Sequence, residues 1–230
     1  MQYADFNEEM KFWKKGYKYI VGLDESGRGP LAGPVVASAV TFVTAKFKNL
    51  NSKIKIINQR SKLLDIEKIR DSKKLTKIQK EKWYEFLTNH SDIKWGTGIV
   101  SEKIIDKINI LEATKLAMVL ALNNLGVKPE YLLIDGNFLL EDLSYNPDVF
   151  GSLNGQKCIP RADENVISCA AASIIAKVTR DRLMLRYHRK YPQYGFDRHK
   201  GYGTKLHLEC LNKFGPCRIH RKSFKPVKFL

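Results

Sequence analysis

Acidic residues follow two short apolar runs of this sequence, at the positions where strands of a sheet are expected to end. Asp24 and Glu25 follow the first run, and Asp135 follows the second. Asp163 stands at the expected start of a helix. Because α/β sheets place their sites at the carboxyl ends of strands, we expect these carboxylates to converge. Crowded carboxylates repel one another unless cations bind, and hard oxygen ligands suit Mg²⁺ or Mn²⁺.

A strongly positive charge accompanies these carboxylates. The sequence has 40 Lys and Arg against 24 Asp and Glu, a formal net charge of +16. Residues 177–230 contain 15 of the basic and 3 of the acidic residues, and residues 46–82 contain 13 and 4. Such segments are typical of proteins that contact a phosphate backbone, although a lysine-rich surface without a function is an alternative. Because two metal ions about 3.5–4 Å apart promote phosphodiester displacement, we interpret the pattern as a nuclease or a polymerase-like enzyme.

Composition excludes several other classes of protein. The chain has 230 residues, of which 43% are hydrophobic, enough for a core that needs no disulfide bonds. No apolar run approaches the ~18–20 residues of a membrane span, so we expect no membrane partner. The N-terminal MQYADFNEEM lacks the apolar segment of a secretion signal, and the 4 cysteines contain no CxxC pair. These features predict a cytoplasmic protein.

Apolar runs and capping residues predict an α/β fold in which strands alternate with helices. We expect residues 1–190 to form the catalytic domain and residues 191–230 to form a basic C-terminal helical extension packed on it. Residues 44–70 and 137–160 are predicted to be loops. Strands are predicted near residues 19–23, 35–43, 93–100 and 131–134, and helices after Thr76, Ser101, Asp163 and Thr204.

Several sequence blocks, in a fixed order between residues 20 and 224, closely resemble the ribonuclease HII family. The resemblance implies an RNase H-like mixed β-sheet flanked by helices, with a C-terminal helical extension. It also implies an endoribonuclease that is active on RNA–DNA hybrids. The blocks are GLDESGRGPLAGPVV, DSKKLT, LLIDGN, AD followed by CAAASIIAKVTRD, YGFDRHKGYGTKLH and GPCRIHRKSF.

The family's four catalytic, metal-binding carboxylates fall on Asp24, Glu25, Asp135 and Asp163. The resemblance implies two Mg²⁺ or Mn²⁺ ions per active site during catalysis. Asp24 and Asp135 would be the central ligands, and the other two carboxylates would each complete the shell of one metal. The residues at 161 and 162 are Arg-Ala, where the family pattern has Lys-Gly.

The family's glycine-arginine-glycine motif falls on Gly27, Arg28 and Gly29, and its tyrosine falls on Tyr202. Glycines lack Cβ, so the backbone can approach a sugar closely and direct polar groups at the 2′-OH that distinguishes RNA from DNA. Arg28 can reach the adjacent phosphate. Tyr202 can lie flat against the next sugar, where a 2′-OH would be crowded, and this would select an RNA–DNA junction. A tight turn and an ordinary loop aromatic are the alternatives.

Four basic residues are further candidates for phosphate contacts in the substrate. Lys73 and Lys74 lie in the DSKKL block, and Lys177 and Arg180 lie on the predicted long helix. Each of them also fits a solvated charge or an intramolecular salt bridge. As a set, they predict that affinity for nucleic acid depends on salt.

The pattern of His207, Cys210, Cys217 and His220 suggests a zinc site, but buried reduced cysteines are the alternative that we favour. The C-terminal SFKPVKFL is interpreted as an amphipathic tail that folds back. Docking of a sliding clamp is possible, but nothing in the sequence supports it. We expect a monomer whose partners are RNA–DNA hybrids and ribonucleotide-containing duplex DNA.

By resemblance, the enzyme cuts RNA–DNA hybrids and also cuts 5′ to a single ribonucleotide in duplex DNA, leaving 3′-OH and 5′-phosphate ends. The role would be the removal of misincorporated ribonucleotides and RNA primers. Three alternatives remain open at this stage. They are a ribonuclease HIII, which lacks the junction preference, a hybrid-binding protein without activity, and a general DNA nuclease or resolvase.

Overall fold

The computed structural model describes residues 4–43, 55–56, 64–65, 69, 75–140 and 153–229. Within these ranges the strands are β1 Ile20–Ser26, β2 Val35–Phe42, β3 Lys55–Ile56, β4 Leu64–Asp65, β5 Ile93–Val100, β6 Tyr131–Asp135 and β7 Gln156–Ile159. The α-helices are α1 Asn7–Trp13, α2 Lys77–Asn89, α3 Glu102–Asn123, α4 Ala162–Asn165, α5 Ile167–Lys190, α6 Phe196–His199 and α7 Lys205–Phe214.

Five strands form a mixed sheet in the order β5-β2-β1-β6-β7. β2 is antiparallel to both β1 and β5, whereas β1, β6 and β7 run parallel to one another. β3 and β4 form a separate two-residue ladder. The mixed sheet with flanking helices confirms the predicted fold class. No helix in the described ranges is long and apolar enough to cross a membrane.

The sheet separates two apolar cores because successive side chains of a strand point to opposite faces. On β1, Ile20 packs in the core beneath α5, whereas Val21 and Leu23 pack in the core beneath α3. Gly22 lets α5 approach the sheet closely, since a Cβ there would lie 2.3 Å from the carbonyl carbon of Ser168. The two faces are therefore distinct environments, and alternate residues of one strand enter different ones.

A third apolar cluster joins the C-terminal segment to the rest of the molecule. Leu31 and Ala32 of the β1–β2 loop and Met184 of α5 pack with Phe196 and Leu211. Thr204 caps α7 as predicted, with its hydroxyl accepting from the backbone N–H of His207 at 3.4 Å. The C-terminal segment thus packs directly on the loop that follows β1. The division into domains at residue 190 stays a prediction.

The elements that differ from the sequence-based expectation include β1, α3 and β7, together with β3 and β4, which lie in the predicted loop at 44–70. β1 continues to Ser26 because Asp24 and Glu25 still pair with β2, so these acidic residues lie within the strand and not after it. α3 is interrupted at Asn109, which has φ 66° and caps the second half through its side-chain oxygen. β7 lies in a segment that was predicted to be a loop. The predicted loop at 44–70 lies mostly outside the described residues.

The N-terminal segment is anchored on the start of α5 by a buried carboxyl group. Glu9 Oε1 accepts a hydrogen bond from the backbone N–H of Ser168 at 2.9 Å, at a helix end that leaves N–H groups unpaired. Nearby, Asp5 N donates to Asn165 O, and Ile167 N donates to Asp5 O, both at 3.1 Å. Burial raises the pKa of Glu9 to about 7, against the opposing effect of the hydrogen bonds with Ser168.

Replacing Glu9 by glutamine is expected to stabilise the fold at about pH 8, by up to roughly 3 kcal/mol, and to change little at about pH 5. The folded pKa of Glu9 is raised from 4.5 to about 7, so stability is lost as pH rises through that window, where only the unfolded chain is ionised. Glutamine keeps the acceptor for Ser168 without the charge. Urea unfolding of both proteins at the two pH values measures the effect. An equal difference at both pH values would contradict it.

Candidate active site

Three aspartates converge at one edge of the sheet, and strand alternation explains why. Asp24 shares a face of β1 with Ile20, and Asp135 shares a face of β6 with Leu133, which are both packed beneath α5. The parallel register sets Leu23 opposite Ile134, so the two aspartates are neighbours. With Asp163 of α4, they bring carboxylate oxygens within 4.8 Å of one another.

Asp163 reaches this cluster from a tight turn. Arg161 has φ 59°, in the left-handed region, and its side chain pairs with Glu164 at 2.5 Å. The next residue, Ala162, donates its backbone N–H to Asp135 Oδ1 at 2.7 Å. The turn that orients Asp163 therefore also fixes Asp135. The Arg-Ala pair at 161 and 162 forms this turn.

Negative charge at this edge is crowded and shielded from water. Asp24 and Asp163 are 5% and 2% exposed. Burial, followed by the charges of Glu25, Asp135 and Asp163, holds the pKa of Asp24 well above its usual range, and a hydrogen bond with Ser173 acts in the opposite direction. Sequence reasoning missed the role of Ser173.

The donor set of this cluster fits a divalent cation. Its three carboxylates supply hard oxygen ligands, which suit Mg²⁺, Mn²⁺ and Ca²⁺ better than they suit softer metals. A bound cation would also compensate the repulsion that Asp24 experiences. No other group of His, Cys, Asp or Glu side chains in the described ranges is arranged to hold a metal ion. The zinc alternative at His207, Cys210, Cys217 and His220 is therefore not supported.

Glu25 lies outside this three-aspartate group, because it follows Asp24 in the strand and enters the opposite face of the sheet. Its Oε1 lies 3.5 Å from Arg28 Nη1, and its backbone N–H donates to Asp24 Oδ1 at 2.6 Å. The carboxylate is still close enough to raise the pKa of Asp24. The role of Glu25 as a metal ligand stays a prediction.

Residues 27–34 form the loop that follows β1, which we call the Gly-Arg-Gly loop. Arg221, fully buried, donates from its guanidinium to Gly27 O at 2.5 Å, Arg28 O at 2.8 Å and Gly33 O at 3.0 Å. Its backbone N–H also donates to Leu31 O at 2.8 Å. A side chain nearly 200 residues away in sequence therefore sets the conformation of this loop, and sequence reasoning gave Arg221 no role.

Arg180 holds the same loop, which corrects its predicted role as a phosphate contact. It is fully buried and donates to Pro34 O at 3.0 Å and Ala32 O at 3.2 Å. Gly27 has φ +103°, and a Cβ there would lie 2.1 Å from Arg180 Nε. Glycine is thus required at position 27 both by its backbone conformation and by the packing of Arg180.

Tyr202 lies beside the Gly-Arg-Gly loop and is 41% exposed. A Cβ at Gly29 would lie 3.9 Å from Tyr202 Cε1. The ring lies 5.9 Å from Lys177 Nζ and 5.8 Å from Arg180 Cζ. Leu31 N donates to Gly201 O at 2.8 Å and ties the two loops together. The structure therefore brings Tyr202 next to Gly29 of the Gly-Arg-Gly loop.

The remaining basic candidates have separate outcomes. Lys73 and Lys74 lie outside the described residues. Lys177 pairs with Asp181 at 2.8 Å and stays partly exposed. The Arg28 side chain is 42% exposed, so its guanidinium is accessible to a substrate. The loop that carries it is held by the buried Arg180 and Arg221.

Replacing Asp24 by asparagine is expected to raise the thermal midpoint of unfolding in the presence of a chelator. Burial and the neighbouring carboxylates oppose ionisation of Asp24 in the folded chain, and asparagine removes that cost. A gain of about 1 kcal/mol corresponds to roughly 2–4 °C for a chain of this size. Mn²⁺ should then raise the midpoint of the wild type by more than that of the variant. A scan of both proteins with chelator and with Mn²⁺ measures this. An unchanged or lower midpoint for the variant in chelator would contradict the repulsion.

Comparison with known proteins agrees with this geometry. The chain matches the sequence model of the ribonuclease HII family over residues 21–227. It is 47% identical to the ribonuclease HII of Chlamydia trachomatis serovar L2 over 94% of this chain and 86% of that protein. The ribonuclease HII of Acetivibrio thermocellus is also 47% identical, over 94% of this chain and 73% of its own length.

A solved structure shows the same fold. The ribonuclease H2 from Pyrococcus horikoshii OT3 is similar with a TM-score of 0.67 and 27% sequence identity, over 91% of this chain and 95% of that one. Sequence and fold thus agree over nearly the whole chain. The chain therefore belongs to the ribonuclease HII family and is a ribonuclease H, a metal-dependent hydrolase that acts on RNA–DNA hybrids.

Proposed function

We propose that this enzyme cuts duplex DNA on the 5′ side of a single embedded ribonucleotide, as well as RNA–DNA hybrids, and leaves 3′-OH and 5′-phosphate ends. The observation that carries the proposal is that Tyr202 lies beside Gly29. Gly29 belongs to the loop that continues directly from β1, the strand of Asp24. Recognition of the sugar and hydrolysis of the adjacent phosphodiester would thus occur in one cleft. The biological role would be the removal of misincorporated ribonucleotides and RNA primers.

The catalytic centre of this proposal consists of Asp24, Asp135 and Asp163, with Glu25 as a fourth carboxylate. These residues would hold two divalent cations, Mg²⁺ or Mn²⁺. When bound, such ions lower the pKa of water and stabilise negative charge on the departing 3′ oxygen. The hydrogen bonds that Ala162 and Ser173 make with the aspartates keep the carboxylates in place before any cation or substrate arrives.

Substrate recognition is assigned to the Gly-Arg-Gly loop and Tyr202. Among the described residues, the one heavy atom within 4 Å of a Cβ placed at Gly29 belongs to Tyr202. The space beside this backbone is therefore open to a sugar. Arg28 would bind a phosphate, as would Lys73 and Lys74. Tyr202 would stack on the sugar beyond the ribonucleotide, where a 2′-OH would be crowded. Because Arg180 and Arg221 fix the loop from behind, these contacts need little reorganisation on binding.

Replacing Tyr202 by alanine is expected to lower cleavage at a single ribonucleotide by about tenfold or more relative to cleavage of a fully RNA–DNA hybrid. The stacking surface lost is worth roughly 1–3 kcal/mol, and about 1.4 kcal/mol is tenfold in rate. Labelled duplexes with one ribonucleotide, with an all-RNA strand and with DNA alone measure the ratio in Mg²⁺ and in Mn²⁺.

Two further variants make this assay specific. Tyr202→Phe keeps the ring and should retain most of the discrimination. Phe214→Ala removes another aromatic of similar exposure, 47%, from the same C-terminal segment and should leave the ratio unchanged. A wild type that cuts the hybrid but not the single-ribonucleotide duplex contradicts junction recognition. Cutting of the all-DNA duplex would indicate a general nuclease.

A further inference from the structure

Three buried histidines pack behind the loop that carries Tyr202. His207 and His220 are 0% and 1% exposed, and their Nε2 atoms lie 3.0 Å apart. The rings of His199 and His207 stack with centroids 4.4 Å apart. His207 Nδ1 lies 2.9 Å from Tyr202 O. These contacts connect α7 and the chain around His220 to Tyr202, and the proposed chemistry uses none of them.

The proton on each ring follows from backbone groups whose roles are fixed. His220 Nδ1 lies 2.9 Å from Cys217 N–H, which can only donate, and 3.3 Å from Cys217 O, which can only accept. The shorter contact, together with the donor that His207 Nε2 requires from His220, makes this nitrogen an acceptor. Neutral His220 must then carry its proton on Nε2 and donate to His207 Nε2. At the other end, Tyr202 O can only accept, so His207 carries its proton on Nδ1. The tautomer assigned to His207 requires the tautomer assigned to His220, and both rings are neutral.

We propose that His220 and His207 form a neutral hydrogen-bond relay that positions Tyr202 and so contributes to ribonucleotide discrimination. The relay runs from Cys217 N–H through both rings to the carbonyl of Tyr202. His220 does not contact Tyr202 directly. It acts by donating to His207 Nε2, which holds the His207 ring in the orientation in which its Nδ1–H meets Tyr202 O. This inference rests on the recognition role proposed above for Tyr202.

The relay is continuous with the anchor of the Gly-Arg-Gly loop. His220 is followed directly by Arg221, which donates to Gly27 O and Arg28 O. The backbone of His220 also forms a β-bridge with Ala32. Two consecutive residues therefore hold the two recognition loops, one through an imidazole and one through a guanidinium. This places both loops under the control of one C-terminal segment.

An added proton would break the relay. A proton on His207 Nε2 would face the Nε2–H of His220, and a proton on His220 Nδ1 would face Cys217 N–H. Burial lowers the pKa of both rings to about 4, with His199 adding to the effect for each. Among the described residues, the titratable groups close to the relay also include Tyr194, whose ring is 5.0 Å from that of His220, and Cys217. The relay therefore remains neutral at physiological pH.

Long-range ¹H–¹⁵N NMR of the five histidines tests the relay without an activity measurement. We expect His207 as the Nδ1–H tautomer and His220 as the Nε2–H tautomer at neutral pH, each assigned by substitution. His220→Phe should leave His207 as the Nδ1–H tautomer and shift the ¹⁵N resonance of its Nε2, because that nitrogen loses the donor opposite it. Finding His207 in the Nε2–H form in the wild type, or either ring in the doubly protonated, cationic form at neutral pH, would overturn the proposal.

Cleavage ratios test the consequence for recognition. His207→Phe and His220→Phe should each lower the ratio of single-ribonucleotide to hybrid cleavage by about five- to tenfold, the effect of losing one hydrogen bond. Asparagine at position 207 offers an N–H donor on a shorter side chain that needs no partner at an Nε2 position, so the double variant His207→Asn, His220→Phe should recover most of the ratio. Leu211→Ala loosens the same cluster without touching the relay, and it should lower the thermal midpoint but not the ratio.

The outcomes separate the relay from the role of Tyr202. If Tyr202→Ala lowers the ratio but His220→Phe does not, the relay is wrong. If Leu211→Ala lowers the ratio as much as the histidine variants, the effect is one of packing and the relay is equally wrong. If Tyr202→Ala leaves the ratio unchanged, the proposed role of Tyr202 fails, and the tautomer spectrum alone decides whether the relay exists.

Discussion

Mutual repulsion among buried carboxylates is the constraint on which this molecule is built. The parallel pairing of β1 with β6 sets Asp24 beside Asp135, and the turn before α5 adds Asp163 to the same edge. Such a cluster is unstable on its own, because water is excluded and like charges are close. The surrounding structure offsets this with hydrogen bonds from Ala162 N–H and Ser173, and with a geometry suited to divalent cations. Stability and catalysis therefore compete at the same atoms.

Positive charge in this chain is divided between two tasks. Some of it is exposed, as on Arg28, and can meet a polyanion directly. Arg180 and Arg221 are instead buried and donate to carbonyl oxygens of the Gly-Arg-Gly loop. Burial lowers the pKa of Arg221 to about 9, so the side chain stays charged at neutral pH. A loop held by fixed cations keeps its shape while its outer surface binds substrate, and the charges behind it favour a phosphate in front of it.

Much of the fold and of the acidic site follows from local sequence signals. The capping box at Thr76 and Gln79 marks the start of α2, and the β-branched runs mark β2 and β5. Asp24 and Asp135 could be predicted because they end or interrupt apolar strands, whereas Asp163 is assigned from its place at a helix start and from the family resemblance. β7 escaped prediction because it is a short, partly exposed edge strand. The break at Asn109 escaped because a single left-handed residue with a capping side chain leaves the helical pattern intact on both sides.

The features that sequence could not provide depend on contacts between distant residues. Net charge marks Arg180 and Arg221 as surface cations, and only the tertiary structure shows that both are buried. Likewise, His207 and His220 suggest metal ligands by their spacing, yet their nitrogens bond to each other and to the backbone. These side-chain contacts form because α7 and the residues that follow it pack on the β1–β2 loop.

Anomalous X-ray diffraction from crystals of the wild-type enzyme equilibrated with Mn²⁺ tests the central claim most directly. The account predicts anomalous difference density bounded by the carboxylate oxygens of Asp24, Asp135 and Asp163, and its loss in crystals of Asp24→Asn. Absence of density at this edge of the sheet under saturating Mn²⁺, with an ordered acidic cluster, would contradict the account.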